Sequence, residues 1–173
     1  MPYAEKTTVP VHRTREEIRA VLTRAGATAF SEVDRNPHHE RGELSVFAFD
    51  LRRKCFRFRV LPPAEREYRL TDNGRIRGTK AQEAARQQLI RARWRALLLF
   101  VRAACEASRQ HAMSIEDSLL PWVVLEDGRT LAERAREVRL LERDAPAAMA
   151  LLVEGAAPSG PRQITHEPAE SSR

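Results

Sequence analysis

The feature that most constrains the fold is a run of 32 residues, from Thr79 to Gln110, without a single Gly or Pro. Ala, Arg, Gln and Leu dominate it, and all four are good helix formers. Thr79 and Gln82 have the spacing of a capping box, in which each side chain satisfies an orphan backbone N–H at a helix start. At 1.5 Å per residue such a helix is about 48 Å long, more than the diameter of a small domain. Its middle must therefore be wrapped by other elements. Ala81, Ala85, Leu89, Ala92, Ala96, Leu99 and Ala103 trace one apolar stripe, and Trp94, Leu97, Val101 and Cys105 broaden it.

The chain before this run holds the partners. Thr7, Thr8 and Val9 are strand formers, and Pro10 confines a strand over residues 6–12 to a sheet edge. Thr14 and Glu17 form another capping-box pattern. Ile18, Val21 and Leu22 follow at helical spacing, and Gly26 supplies a stop. Residues 28–34 read as a weak strand, 35–42 as a polar loop, and 44–51 with 55–61 as a hairpin. Phe47 and Phe49 share one strand face, as do Phe56 and Phe58, with Arg57 and Arg59 opposite. Leu51-Arg52-Arg53-Lys54 lacks the Asn-Gly signal of a tight turn, which leaves the register open. Residues 68–71 are read as one more strand before the turn Asp72-Asn73-Gly74.

Beyond the long helix, Ser114 opens a short helix that stops at Pro121, and residues 122–125 read as a brief buried strand. Asp127-Gly128 turns the chain. Thr130-x-x-Glu133 is a third capping box, for a helix to about Arg143. Pro146 breaks the chain before a last helix over 147–154. Residues 156–173 lack apolar periodicity and read as a disordered tail. The expected architecture is α+β: a small antiparallel sheet of three or four strands on a long central helix, with additional C-terminal helices. It forms one domain over residues 1–155. The helix–three-strand–helix order is that of double-stranded-RNA-binding domains, and with the first strand that of half a TATA-binding-protein saddle, as analogies of order alone.

Charge is unevenly spread. The 173 residues carry 30 Lys and Arg, of which 27 are Arg, against 24 Asp and Glu, a net of +6. Residues 52–95 alone hold 14 basic and 4 acidic side chains, a net of +10, while residues 1–51 and 96–173 are net acidic. At 100° per residue Arg91, Arg95, Arg102 and Arg109 fall within about 40° of one another, a stripe roughly 27 Å long, bordered by Gln88 and interrupted by Leu98. Such a stripe suits a phosphate backbone. The plainer reading is a solvated face, or arginines paired with acids of the C-terminal helices. Arg75, Arg77 and Lys80 flank the start of the same helix, whose free N–H groups favour anions. Arg57 and Arg59 complete the candidate nucleic-acid contacts. Lys54-Cys55-Phe56-Arg57-Phe58 is comparable to the RNA-stacking strand of RRM domains but lacks its small residues and final aromatic, so Phe56 and Phe58 are assigned to the core.

Little points to catalysis. No GxSxG, P-loop, GxGxxG or HExxH pattern occurs. His38-His39-Glu40 is the one ligand-like cluster, and no third or fourth ligand follows at a metal spacing. No catalytic residue, cofactor or metal is expected. No apolar run of 18 residues exists, and Met1-Pro2-Tyr3-Ala4-Glu5-Lys6 has no apolar signal core, so neither membrane insertion nor secretion is expected. Cys55 and Cys105 form no CxxC and are read as two packed thiols in a reducing cytoplasm, with a disulfide left open.

Four segments together resemble a family of uncharacterised proteins encoded by bacteriophages and integrated mobile elements. They are Lys6-Thr7-Thr8-Val9-Pro10, Thr14-Arg15-x-Glu17-Ile18, Arg93-Trp94-Arg95-Ala96-Leu97-Leu98-Leu99 and Asp127-Gly128-Arg129-Thr130. The resemblance covers roughly residues 6–135. It implies a bacterial or viral setting and carries no catalytic residues. The expected function is a non-catalytic nucleic-acid-binding accessory protein, contacting DNA or RNA through the basic region 52–95. The alternative is a protein–protein interaction module, an inhibitor or scaffold, docking an acidic partner.

Overall fold

The structure is a computed structural model that describes residues 7–34, 45–71 and 73–137. The chain divides into two compact units, Met1–Arg134 and Ala135–Arg173. The polar loop at 35–42 with its His38-His39-Glu40 cluster, the break at Pro146, the last helix and the tail all lie outside the described residues.

Helix α1 (Val11–Arg24) starts where an edge strand was expected. Pro10 has no N–H for a strand ladder, and its φ of −62° suits the position just before a helix. Thr14 therefore sits inside the first turn. It is buried and gives its hydroxyl hydrogen to the Pro10 carbonyl at 3.4 Å, so the expected box with Glu17 does not form. Gly26, at φ +94°, turns the chain out of the helix.

Strands β1 (Ala27–Asp34), β2 (Ser45–Leu51) and β3 (Lys54–Val60) pair antiparallel in the order β1-β2-β3. The hairpin register sets Phe47 opposite Phe58 and Phe49 opposite Phe56. Its two-residue turn is Arg52-Arg53, at φ +49° and +67°, the signs of a type I′ turn. Arginine stands where Asn-Gly is usual, and tertiary contacts compensate. The Arg52 Nη1 donates to both carboxylate oxygens of Glu116, at 2.8 and 2.9 Å.

Of residues 68–71, expected as a strand, Tyr68 and Arg69 belong instead to the short helix α2 (Glu65–Arg69). Glu67 accepts the Ala64 N–H at 2.6 Å and so closes the first turn. Only Leu70 makes a strand-like bridge, to Ile76 across the expected turn.

Helix α3 (Thr79–Arg109) runs 31 residues and is capped by Gly78. Thr79 is already helical, and the Gln82 side chain donates to the Arg77 carbonyl at 2.6 Å, so this capping box is absent too. The buried face is Ile90, Trp94, Leu98, Val101 and Ala104. That is nearly opposite the expected stripe, of which Ala81, Ala96 and Ala103 are exposed, although it includes Trp94 and Val101, two of the residues expected to broaden the stripe. The stripe was traced on apolar identity, and most of its members are Ala. Burial scales with area, so the larger side chains select the core face. They pack on Phe47, Phe49, Leu51, Phe56, Phe58 and Val60 of the sheet and on Ile18 and Leu22 of α1.

Helix α4 (Ile115–Leu119) is capped by Ser114, whose hydroxyl accepts the Asp117 N–H at 3.0 Å. A 3-10 turn (Leu120–Trp122) follows. The expected strand at 122–125 is reduced to two bridges, Val123 to Phe56 on the outer edge of β3 and Val124 to Thr130. Helix α5 (Leu131–Glu137) begins with the third capping box, and this one forms: Thr130 N–H to Glu133 at 2.7 Å and Glu133 N–H to Thr130 Oγ1 at 3.3 Å. Overall this is an α+β fold, with a three-stranded sheet, a long central helix and C-terminal helices.

Candidate nucleic-acid interface

Phe56 and Phe58 point into the core, so β3 presents Arg57 and Arg59 on the other face, as alternation demands. The two guanidiniums close on one carboxylate. Arg57 Nη2 lies 3.0 Å from Glu133 Oε2, and Arg59 Nη1 lies 2.8 Å from Glu133 Oε1. Burial would push this carboxyl up, but the Thr130 N–H and the charges of Arg59 and Arg57 hold it below its ordinary value.

The arginine stripe of α3 behaves alike. Leu98 lies about 20° beyond one edge of its arc and is fully buried, so the stripe runs along the border of the α1–α3 contact. Arg95 and Arg102 both reach Glu17 of α1, at 3.0 and 2.8 Å. Arg95 is only 17% exposed. Arg91 donates to the Gln88 side chain at 2.6 Å, and Gln88 donates to the Thr7 carbonyl, tying down the chain before α1. Arg109 pairs with Glu106 on its own helix.

A third carboxylate repeats the pattern. Glu32 on β1 takes Arg19 at 2.7 Å and Arg15 at 3.8 Å, both from α1. Glu17, Glu32 and Glu133 each join a pair of arginines across two elements. Glu17 and Glu133 were legible in the sequence only as capping-box members, and nothing local marks them as partners of residues more than 70 positions away.

Arg75, Arg77 and Lys80 are placed differently. Arg75 and Lys80 are exposed and make no ion pair among the described residues. Arg77 is half-buried and donates its Nε–H to the Leu70 carbonyl at 3.0 Å. The N-terminus of α3 beside them has no acidic residue in its first turn and no side-chain cap. Leu61, Leu70 and Ile76 are exposed along the same connection, at 59%, 41% and 65%; the sequence reading did not single them out.

Four further properties bear on chemistry and setting. Among the described residues every Phe, Tyr and Trp ring is buried or half-buried. None of the described residues gathers three or more His, Cys, Asp or Glu side chains into a metal-binding cluster. Cys55 and Cys105 are both free thiols, and Cys55 is exposed rather than packed. No described helix is long and apolar enough to cross a membrane. No family model matches the chain, and no curated protein or solved structure does so either.

Proposed function

We propose that this chain is a non-catalytic nucleic-acid-binding accessory protein of a bacteriophage or mobile element, acting in the cytoplasm of the bacterial host. The supporting observation is the basic end of α3. Arg75 and Lys80 make no ion pair there among the described residues, and they lie beside free backbone N–H groups and the positive end of a 31-residue helix dipole. The other candidate arginines on β3 and α3 are engaged with protein acceptors, so contact is confined to this end. Among the described residues no Phe, Tyr or Trp ring is exposed for base stacking, which favours the phosphate backbone of a duplex over unstacked bases as the target. With about three phosphates contacted, the logarithm of affinity falls with log salt at a slope of about −3.

Fluorescence titration of labelled duplex and single-stranded DNA and RNA at two salt concentrations tests this reading. Binding to duplex should appear at low salt and vanish in Arg75→Glu/Lys80→Glu. Absence of binding at low salt, or undiminished binding by that variant, overturns it.

The exposed Leu61, Leu70 and Ile76 favour one alternative, an interaction module that docks an acidic, partly apolar protein surface on the same end. A pull-down from host lysate after nuclease treatment separates the two. Recovery of one stoichiometric partner, lost in Ile76→Asp, supports the alternative.

A further inference from the structure

A second feature lies at the opposite end of α3, among elements the nucleic-acid reading does not use. The last turns of α1 and α3, the hairpin turn and the start of α4 line an open cavity of about 400 Å³. That volume falls in the lower part of the range that holds small-molecule ligands. Val21, Ala25 and Ile115 supply apolar lining, and among the described residues no carboxylate lines it. Arg24, Arg52 and Arg109 come to it from three different elements.

Each of these arginines is steadied by one group and keeps donors to spare. Arg24 gives its Nε–H to the Ala20 carbonyl, which leaves both Nη groups. Arg52 uses Nη1 on Glu116, and Arg109 uses Nη1 on Glu106. The cleft continues between α1 and α3 past Arg102, which is held by Glu17, and Glu106. Counting those three glutamates, four arginines still leave a surplus of positive charge. Arg24 and Arg109 also complement the C-terminal dipoles of their helices. Arg52 belongs to no helix, so dipole compensation does not explain why all three line one apolar-walled space.

We propose that this cavity binds a small amphipathic monocarboxylate, with its head on the Arg24, Arg52 and Arg109 guanidiniums and its hydrocarbon body against Val21, Ala25 and Ile115. A planar carboxylate matches the guanidinium fork in two parallel hydrogen bonds. Two helix C-termini face the cavity through Arg24, Ala25, Ser108 and Arg109, and their negative ends favour a monoanion over a phosphate dianion.

Cys105 lines the same space and reports on it. In a Cys55→Ser background, the rate of Cys105 alkylation by N-ethylmaleimide is measured with hexanoate, acetate, hexanamide or inorganic phosphate present. Hexanoate at millimolar concentration should slow alkylation severalfold and raise the melting temperature, while acetate, hexanamide and phosphate have little effect. Arg24→Gln/Arg109→Gln changes two exposed side chains and leaves the core intact; it should weaken hexanoate protection about tenfold. Equal protection by hexanamide shows an apolar hole without anion recognition, equal protection by phosphate shows bare charge attraction, and no protection by hexanoate shows no site. Each of these overturns the proposal. Duplex binding at the other end of α3 is read by a different assay, so the two ideas fail separately.

Discussion

Individual side chains carry strain and charge that the rest of the molecule compensates. Arg53 sits at φ +67° in the hairpin turn, and a left-handed non-glycine residue costs about 1–2 kcal/mol. It makes no ion pair among the described residues, unlike Arg52. Arg53→Gly removes the strain and adds backbone entropy to the unfolded chain, for a net gain of about 0.5 kcal/mol; the urea midpoint should rise. Glu133 is the converse case, a carboxylate holding two arginines. Glu133→Gln should cost about 1–2 kcal/mol at neutral pH, between an exposed and a buried pair. Its carboxyl is held below the ordinary carboxylate value in the folded protein, and so are those of Glu67, through the Ala64 N–H and then Arg93, and Glu116, chiefly through Arg52. Stability from these groups is complete above the unfolded carboxyl range and is lost as pH falls through the lowered folded values. Denaturant unfolding should therefore show a decline as pH falls through and below the ordinary carboxylate range, and the decline should be shallower in Glu133→Gln.

The long helix shows what separates an apolar pattern from a buried face. Ala96 belonged to the expected stripe and is exposed, whereas Ala104 is buried against the core. Ala96→Glu should change stability by no more than about 0.5 kcal/mol, and Ala104→Glu should cost about 3 kcal/mol or more. Leu98→Ala, which empties a fully buried site, should cost about 3 kcal/mol. Chemical denaturation of the three variants checks the face directly. Existence and type of α1, α3 and the β2–β3 hairpin were legible in the sequence. Their starts were less so, because a Thr-x-x-Glu or Thr-x-x-Gln spacing does not say which residue leaves the helical region first. Pro10 and Gly78 took that place at α1 and α3. Residues 68–71 were misread for a related reason. Glu67 bonds both the Ala64 N–H and Arg93, and the second bond comes from a helix 26 residues away.

Across the molecule, the basic middle segment and its acidic flanks fold onto one another. Glu17, Glu116 and Glu133 all lie outside residues 52–95, and each takes an arginine from within it. Glu17→Gln should free Arg95 and Arg102, tighten duplex binding and steepen its salt slope by about one unit; an unchanged slope would show that neither arginine reaches a phosphate. Of the candidate contacts, the sequence was sufficient to find the cations and to place Arg57 and Arg59 opposite the phenylalanines. It was also sufficient for the α+β class, because strand alternation, helical periodicity and turn residues are local properties read along the chain. Which face of α3 is buried, which arginines meet a carboxylate and which stay free depend on residues 26 to 85 positions apart brought together by packing. Coulomb and hydrogen-bond energies act over a few ångströms of space, whatever the separation along the chain. That is why the same +10 yields cross-links in the body of the fold and open charge at the start of α3.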